Sequence, residues 1–210
     1  MKLFSIIVFD NRNAEKPLSI ARAEDLSMFG FWKRGTIREL ITFVSRQLAS
    51  KTAQGQRQVA AHDMSAEPQD GISKLLCHAY VNARNVSYVV ITDGEYPQRT
   101  AFNFGQRAVE LLEKEYGDKM FSSSGVDQQL TVAGLDEEIK KYQNPAAVDS
   151  IAKIHNDLND TRQIMVENIE KVIARGEKLD DLLAKTDDLS ESSKVFVTRA
   201  KKMNSCCTIL

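Results

Sequence analysis

Residues 172 to 189 read VIARGEKLDDLLAKTDDL and form the middle of a heptad repeat that extends from residue 151 to residue 203. A 3.5-residue repeat of this length is typical of a coiled coil, because supercoiled helices keep such a seam facing a partner. The sequence therefore predicts one long helix whose apolar stripe binds other helices. The apolar seam positions are Ile151, Ile154, Leu158, Met165, Val172, Leu179, Leu182, Leu189, Phe196, Ala200 and Met203.

The flanks of the seam and one charged seam position indicate the kind of assembly. Ile164, Ile169, Leu183 and Val197 lie beside the seam and widen the apolar stripe, which favours a bundle of more than two helices. Arg175 occupies a central seam position, and a buried guanidinium requires acceptors for its fixed set of donors. We expect partner helices to supply acceptors at that level. The alternative is that Arg175 reaches the edge of a loose dimer.

The stretch 172–189 resembles the centre of an R-SNARE motif, and Arg175 matches the arginine of that family's ionic layer. The resemblance implies a parallel four-helix bundle, in which three Q-SNARE helices each offer a glutamine to Arg175. Four other seam positions carry residues that are polar or small for core layers: Thr161, Asn168, Thr186 and Ser193.

The residues before the repeat predict an α+β domain. Apolar or β-favouring runs at 3–9 and 18–23 predict one antiparallel hairpin, runs at 74–82 and 86–92 predict a second, and 56–62 is a further strand candidate. Apolar residues at helical spacing predict three helices. The first starts at a capping box of Thr36 and Glu39, the second covers 98–116, and the third is short and ends before Pro145. The order of these elements, with the stretch YVVITDGEYPQRTAFNF, resembles a longin domain. The resemblance implies a profilin-like fold with a five-stranded antiparallel sheet flanked by helices.

These patterns divide the chain into four parts. We expect a regulatory longin domain at 1–142, a linker at 143–150, the R-SNARE motif at 151–203 and a lipidated tail at 204–210. Phe43 lies at the edge of the stripe on the first helix. The longin resemblance implies that the motif folds back on the domain, and we expect Phe43 to contact it.

The last residues predict a lipid anchor. Cys207, Thr208, Ile209 and Leu210 fit the C-a-a-X prenylation pattern, and the terminal leucine favours geranylgeranyl. Cys206 is a candidate acceptor for palmitate. No acidic residue occurs from Ser192 onward, so the basic side chains of this stretch favour an anionic membrane surface over the alternative of a solvated polar end. These are Lys194, Arg199, Lys201 and Lys202.

Composition and motif searches exclude several other classes. The net charge of −1 argues against nucleic-acid binding, and no apolar run has the roughly 18 residues of a membrane span or the features of a signal peptide. No Gly-Lys dipeptide occurs, which excludes a phosphate-binding loop. His62, His78 and His155 have no metal-ligand spacing, and paired carboxylates such as Asp180 and Asp181 fit a solvated helix face. The sequence predicts no enzyme, small-molecule substrate, metal or cofactor beyond covalent isoprenoid and palmitoyl lipid.

The leading hypothesis is an R-SNARE that drives vesicle-membrane fusion by zippering with three Q-SNARE helices. Among longin R-SNAREs, the double-cysteine tail resembles those members that are prenyl-anchored and act on Golgi, endosomal or vacuolar routes. We therefore expect the chain in the cytosol and on the cytoplasmic face of these membranes. The alternative is a prenylated coiled-coil tether or scaffold that binds membranes without fusing them.

Overall fold

The computed structural model describes most of the chain. The described residues are 1–64, 71–122, 124–152, 164, 166–176, 178–195 and 197–198, without the side chains of 149–152. The strands are β1 (Leu3–Asp10), β2 (Leu18–Glu24), β3 (Arg57–Asp63), β4 (Lys74–Val81), β5 (Val86–Asp93) and β6 (Val166–Asn168). The α-helices are α1 (Arg34–Lys51), α2 (Gln98–Tyr116), α3 (Leu135–Tyr142), α4 (Pro145–Ala152), α5 (Ile169–Ile173) and α6 (Leu179–Lys185).

The six strands form one mixed sheet in the order β2-β1-β5-β4-β3-β6. The first five strands pair antiparallel, and β6 pairs parallel with β3. β1 and β5 lie inside the sheet, and both faces of β1 are buried. That position accounts for their nearly continuous apolar sequences, because a strand covered on both faces has no solvent side to keep polar.

Helices α2 and α3 cover one face of the sheet. Ile6, Val8, Tyr88 and Val90 point into this layer and pack with apolar residues of α2. The approach of α2 depends on Gly105, since a Cβ there would lie 2.0 Å from Cε2 of the Tyr88 ring. A glycine at this point lets the helix backbone rest on the aromatic ring.

Helix α1 covers the other face, together with residues from near the C-terminus. The alternate residues of β1 and β5, including Ile7, Phe9, Val89 and Ile91, form this second core. Phe43 and Leu48 of α1 belong to it and are 2% and 0% exposed. The sheet therefore holds two separate apolar layers, and the second one is completed by the C-terminal part of the chain.

Much of the predicted domain is confirmed. The fold is α+β with a sheet flanked by helices, both predicted hairpins form, and α2 has the predicted bounds. The sheet has six strands instead of five, because β6 adds to the edge of β3. The predicted capping box is wrong: α1 begins at Arg34 without a side-chain cap, since the 3-10 turn Phe31–Lys33 leads directly into it.

The prediction of one long helix over 151–203 differs from the form seen here. The described residues from 166 onward form β6, α5, α6 and a helical stretch at 191–195. Asn168 starts a new helix, because its side chain accepts hydrogen bonds from the backbone N–H groups of Glu170 and Lys171. Gly176, with φ of 91°, interrupts helical backbone between α5 and α6. Within the described residues from 166 onward, the apolar side chains of the stripe pack against the chain's own sheet and α1.

Candidate partner-binding site in the C-terminal segment

The described residues from 166 to 198, named here the C-terminal segment, bury apolar side chains against α1 and β3. Val172, Leu182 and Leu189 are predicted seam residues and are 0%, 9% and 5% exposed. Ile169 and Leu183, which lie beside the seam, are buried in the same cluster with Ile173, and Leu179 packs against it. Phe43 belongs to this cluster, and α5 packs on both α1 and β3. The described part of the surface predicted to bind other helices is thus covered within the chain.

Strand β6 covers an edge of the sheet that would otherwise be open. Val59, Ala60 and Ala61 of β3 align with residues 166–168 of β6. The Gln58 side chain adds a hydrogen bond, donating from Nε2 to the Glu167 carboxylate at 3.1 Å. Backbone pairing of this kind satisfies the donors and acceptors of β3 and fixes the start of the C-terminal segment on the domain.

Arg175 lies at the surface in this arrangement. Its side chain is 51% exposed, and Nη2 donates to both carboxylate oxygens of Glu167 at 2.6 and 2.7 Å. The chain itself therefore supplies the acceptor for this guanidinium. An ion pair this exposed is worth about 1 kcal/mol or less, so it holds Arg175 only weakly.

Arg46 of α1 joins three parts of the chain. Its Nε donates to Oδ2 of Asp188 at 2.7 Å, and Nη2 donates to Oδ1 of Asp188 at 2.9 Å and to Oδ2 of Asp127 at 2.7 Å. Nη1 donates to the Pro17 carbonyl oxygen. Burial alone lowers the pKa of Arg46, but the hydrogen bonds that it donates to Asp188 and Asp127 outweigh the burial and raise the pKa. The side chains of Arg46 and Asp188 are 13% and 12% exposed.

Glu39, seven residues earlier in α1, makes a second polar contact to the C-terminal segment. Its Oε2 accepts a hydrogen bond from the Ser190 N–H at 2.8 Å. This bond, with further ones from the side chains of Ser193 and Ser190, lowers the pKa of Glu39. The residue predicted to cap its own helix instead binds the start of the helical stretch at 191–195.

The other predicted site residues divide into described and undescribed ones. Lys194, predicted to face a membrane, forms an ion pair with Glu191, with Nζ 3.2 Å from Oε1. Only the backbone of Ile151 is described, within α4. The remaining predicted residues lie outside the described part of the chain: Ile154, Leu158, Met165, Phe196, Ala200, Met203, Arg199, Lys201, Lys202, Cys206 and Cys207.

Sequence reasoning missed the polar contacts that hold the C-terminal segment. Arg46 and Asp188 are 142 positions apart, and Glu39 and Ser190 are 151 apart, so no local spacing connects them. Neither contact had a usable signal in the sequence, because Arg46 and Glu39 fall on the side of α1 opposite its apolar stripe, where charged residues normally face solvent.

Two other kinds of site are absent from the described residues. No group of three or more His, Cys, Asp or Glu side chains there could hold a metal ion. None of the helices in that part of the chain is both long and apolar enough to cross a bilayer.

Comparisons with known proteins identify the domain before the C-terminal segment and the region that contains this segment. Residues 26–139 match the family model of the longin domain, described as a regulated-SNARE-like domain, and residues 150–208 match that of synaptobrevin. The chain is 36% identical to "Synaptobrevin homolog YKT6" of Candida glabrata and to "VAMP-like protein YKT61" of Arabidopsis thaliana, covering 100% of each chain in both cases. It is 35% identical to "Putative synaptobrevin homolog YKT6" of Dictyostelium discoideum over 99% of this chain and 98% of the relative. The chain belongs to the longin-domain R-SNARE family.

The family assignment confirms the main sequence-based interpretations. Longin R-SNAREs act in vesicle fusion and are not enzymes, so this chain is a trafficking protein with SNARE partners. In this longin R-SNARE, the SNARE motif packs on the longin domain through α5, α6 and β6.

Proposed function

We propose that this longin R-SNARE drives fusion by zippering with three Q-SNARE helices, and that the folded-back C-terminal segment is its inactive form. The observation that carries the proposal is the burial of Val172, Leu182 and Leu189 in the cluster that contains Phe43. These side chains occupy seam positions of the heptad repeat. Each of them would face the core of a four-helix bundle.

The two packings exclude each other. A seam side chain cannot pack against α1 and against partner helices at the same time, so partners bind only when the C-terminal segment leaves the domain. Only the open fraction of the protein can bind Q-SNARE helices. The apparent affinity for these helices is therefore the intrinsic affinity multiplied by that open fraction. The longin domain therefore regulates fusion by competing for the seam.

Arg175 sets the register of the bundle in this proposal. When the C-terminal segment opens, the pair with Glu167 breaks, and three glutamines of the partner helices accept from the guanidinium. The loss of the intramolecular pair costs little, because Arg175 is 51% exposed. In the bundle the same charge is buried, so a wrong register leaves it unpaired at a cost of several kcal/mol.

A lipid anchor at the C-terminus transmits the force of zippering to the membrane. Cys207 carries the isoprenoid and Cys206 a reversible palmitoyl chain, since the sequence CCTIL fits both modifications. Two lipid chains give stable anchoring where one gives marginal binding. Removal of the palmitoyl chain returns the protein from Golgi, endosomal or vacuolar membranes to the cytosol.

A binding experiment with soluble Q-SNARE helices tests the bundle. Leu179→Pro is the sharpest variant, because Leu179 is the first residue of α6, where proline is tolerated, but lies inside the continuous helix of a bundle. We expect Leu179→Pro to abolish complex formation, while circular dichroism of the free chain changes little and its melting reflects only the lost packing of the partly buried Leu179 side chain. Arg175→Ala should form complexes that melt at lower temperature. Unchanged binding by Leu179→Pro would contradict the bundle.

Lipid mixing separates fusion from tethering. Vesicles that carry the lipid-anchored protein should exchange lipid with vesicles that carry Q-SNAREs. A tether would dock the two populations without exchange. Docking without lipid mixing by the wild-type protein would therefore support the tether and contradict the fusion function.

A further inference from the structure

Gln143 binds the sheet just before the SNARE motif begins. Its side-chain Nε2 donates to the Leu3 carbonyl oxygen at 2.6 Å, and its Oε1 accepts a hydrogen bond from the Leu3 N–H at 3.2 Å. Nε2 also donates to Oδ2 of Asp25, the residue after β2, at 3.3 Å. The amide of Gln143 thus pairs with both backbone polar groups of Leu3, as a neighbouring strand would.

Tyr142, the preceding residue, contacts α2 and the loop before it. Its carbonyl oxygen accepts a hydrogen bond from the Tyr96 hydroxyl at 2.6 Å, and its ring packs on Phe104 with centroids 4.9 Å apart. Phe104 is fully buried in the core between α2 and the sheet. The end of α3 is therefore bound to the longin domain at two consecutive residues.

Helix α4 starts directly after these contacts. Only Gln143 and Asn144 separate it from α3, and Oδ1 of Asn144 accepts a hydrogen bond from the Ala147 N–H at 3.4 Å. Pro145 occupies the first helical position, where its missing N–H costs nothing and its fixed φ suits a helix. Pro145 is buried, and α4 packs on α2 and α3. Most of residues 143–150 is therefore helical and packed on the longin domain.

This attachment is separate from the one that holds the C-terminal segment. Gln143 binds β1, whereas β6 pairs with β3, and β6 lies four strand positions from β1, or about 19 Å. The hydrogen bonds of Tyr142, Gln143 and Asn144 all go to the longin domain or to α4. The contact at β3 can therefore open while the contact at β1 stays closed.

We propose that Gln143 and α4 keep the start of the SNARE motif on the longin domain after the C-terminal segment has left. Ile151, the first seam residue, lies within α4, about 9 Å along the helix from Pro145. The consequence rests on the proposed four-helix bundle, in which α4 becomes the first turns of the bundle helix. The longin domain then has a fixed position at the end of the bundle opposite the lipid anchor.

A fixed domain behaves differently from one on a flexible linker. A helix of two turns that is packed on its own domain gives a single orientation, whereas a flexible linker of the same length allows many. The fixed longin domain covers one side of the bundle where the Q-SNARE helices begin. It therefore restricts which other proteins reach that end of the bundle.

Amide exchange in an opened full-length chain tests whether the attachment is independent. Val172→Asp places a carboxylate at a position that is 0% exposed, so the C-terminal segment should leave the domain. We expect the amides of residues 169–185 to exchange at least tenfold faster, while those of residues 147–150 and of β1 and β5 keep their wild-type rates. Faster exchange at 147–150 as well, with β1 and β5 unchanged, would overturn the proposal. Leu183→Asp, at a position 6% exposed, replaces Val172→Asp if that variant unfolds the domain.

A glutamine pair tests the role of Gln143 in the opened chain. Gln143→Ala removes both hydrogen bonds to Leu3 and should raise exchange at residues 147–150 by about tenfold. Gln129→Ala is the matched control, because Gln129 is an exposed glutamine in a loop of the same domain. It should leave exchange at 147–150 unchanged. Equal exchange rates in the two variants would contradict the role of Gln143.

Spin-label distances test the fixed position in the assembled bundle. The labels are placed at Glu137→Cys in α3 and at Glu170→Cys in the SNARE motif, both exposed, with Cys206 and Cys207 replaced by serine. Cys77 stays unlabelled, because burial raises the pKa of its thiol to about 12. With soluble Q-SNARE helices bound, we expect a single narrow distribution of distances between the two labels.

A glycine variant provides the comparison for that distribution. Ala146 and Ala147 are exposed in α4, so replacing both by glycine lowers helix propensity without removing a packed side chain. The distribution should become broader in this variant. Equally broad distributions with and without the glycines would overturn the proposal. The exchange measurement needs no Q-SNARE helix, so it decides the proposal even if no bundle forms.

Discussion

Arg46 in the longin domain and Asp188 in the SNARE motif form a two-point ion pair, with N–O distances of 2.7 and 2.9 Å. Asp127 binds the same guanidinium from a loop of the longin domain. Arg46 therefore keeps a carboxylate partner when the SNARE motif leaves. The pair can break without stranding a buried charge, which makes it suitable for a contact that must open.

Asp188→Asn tests the strength of this contact. Loss of the charge-assisted bonds should weaken packing of the C-terminal segment by about 2 kcal/mol, while Asp127 preserves the longin domain. We expect amide exchange over residues 179–195 to rise by tenfold or more, with exchange in β1 and β5 unchanged. Asp187→Asn is the matched control, since Asp187 is an exposed neighbour. Equal exchange in the two variants would show that the ion pair contributes nothing.

The sequence predicted the domain well where local patterns decide the structure. The stripe of apolar residues over 98–116 predicted α2. The two runs of β-favouring residues at 74–82 and 86–92 predicted the β4–β5 hairpin. The start of α1 was predicted wrongly, because Thr36 and Glu39 have capping-box spacing although Glu39 binds Ser190. Local spacing does not reveal a competing partner 151 positions away.

The C-terminal segment shows a second limit of sequence reasoning. A heptad stripe states that its apolar residues will be buried, but not which surface will bury them. Val172 and Leu182 fit the core of a helix bundle and also fit the cluster around Phe43. The sequence therefore identified the binding residues of the SNARE motif but not the short helices and the strand that they form on the longin domain.

The contact between Gly105 and Tyr88 leads to a prediction for the longin domain itself. Gly105→Ala would place a methyl group 2.0 Å from the Tyr88 ring, so α2 must shift away from the sheet. We expect a loss of roughly 3 kcal/mol in the free energy of unfolding, at the upper end of overpacking effects. Gly35→Ala in α1 meets no atom within 4 Å and should stabilise the protein slightly. Urea denaturation of both variants checks this contrast; equal stabilities would contradict it.

The buried side chain of His78 should make the free energy of unfolding depend on pH. Its Nε2 bonds to Thr92 Oγ1 at 3.1 Å, while Nδ1 has no hydrogen-bond partner within the described part of the chain. Burial lowers the pKa of His78 to about 3. In the unfolded chain the pKa of histidine is about 6.5. As the pH falls, His78 is therefore protonated in the unfolded chain before it is protonated in the folded protein. Stability should therefore be full above about pH 6.5 and fall toward pH 3, by up to about 1.4 kcal/mol for each pH unit.

Urea denaturation at pH 7 and pH 5 measures this effect. The wild-type protein should lose stability between the two values, and His78→Asn should lose less over the same interval, whatever its stability at pH 7. His62→Gln, which changes a less buried histidine of β3, should follow the wild-type protein. An identical pH dependence in His78→Asn and the wild-type protein would rule out His78 as the cause.

The central claim is that the SNARE motif cannot pack on the longin domain and join a bundle at the same time. Val59 and Val166 are aligned partners of the parallel β3–β6 pair, so a disulfide between Val59→Cys and Val166→Cys would hold the motif on the domain. The measurement is binding of Q-SNARE helices before and after reduction, with Cys206 and Cys207 replaced by serine. Our account predicts no binding by the oxidised protein and full binding after reduction. Equal binding by the two forms would contradict it.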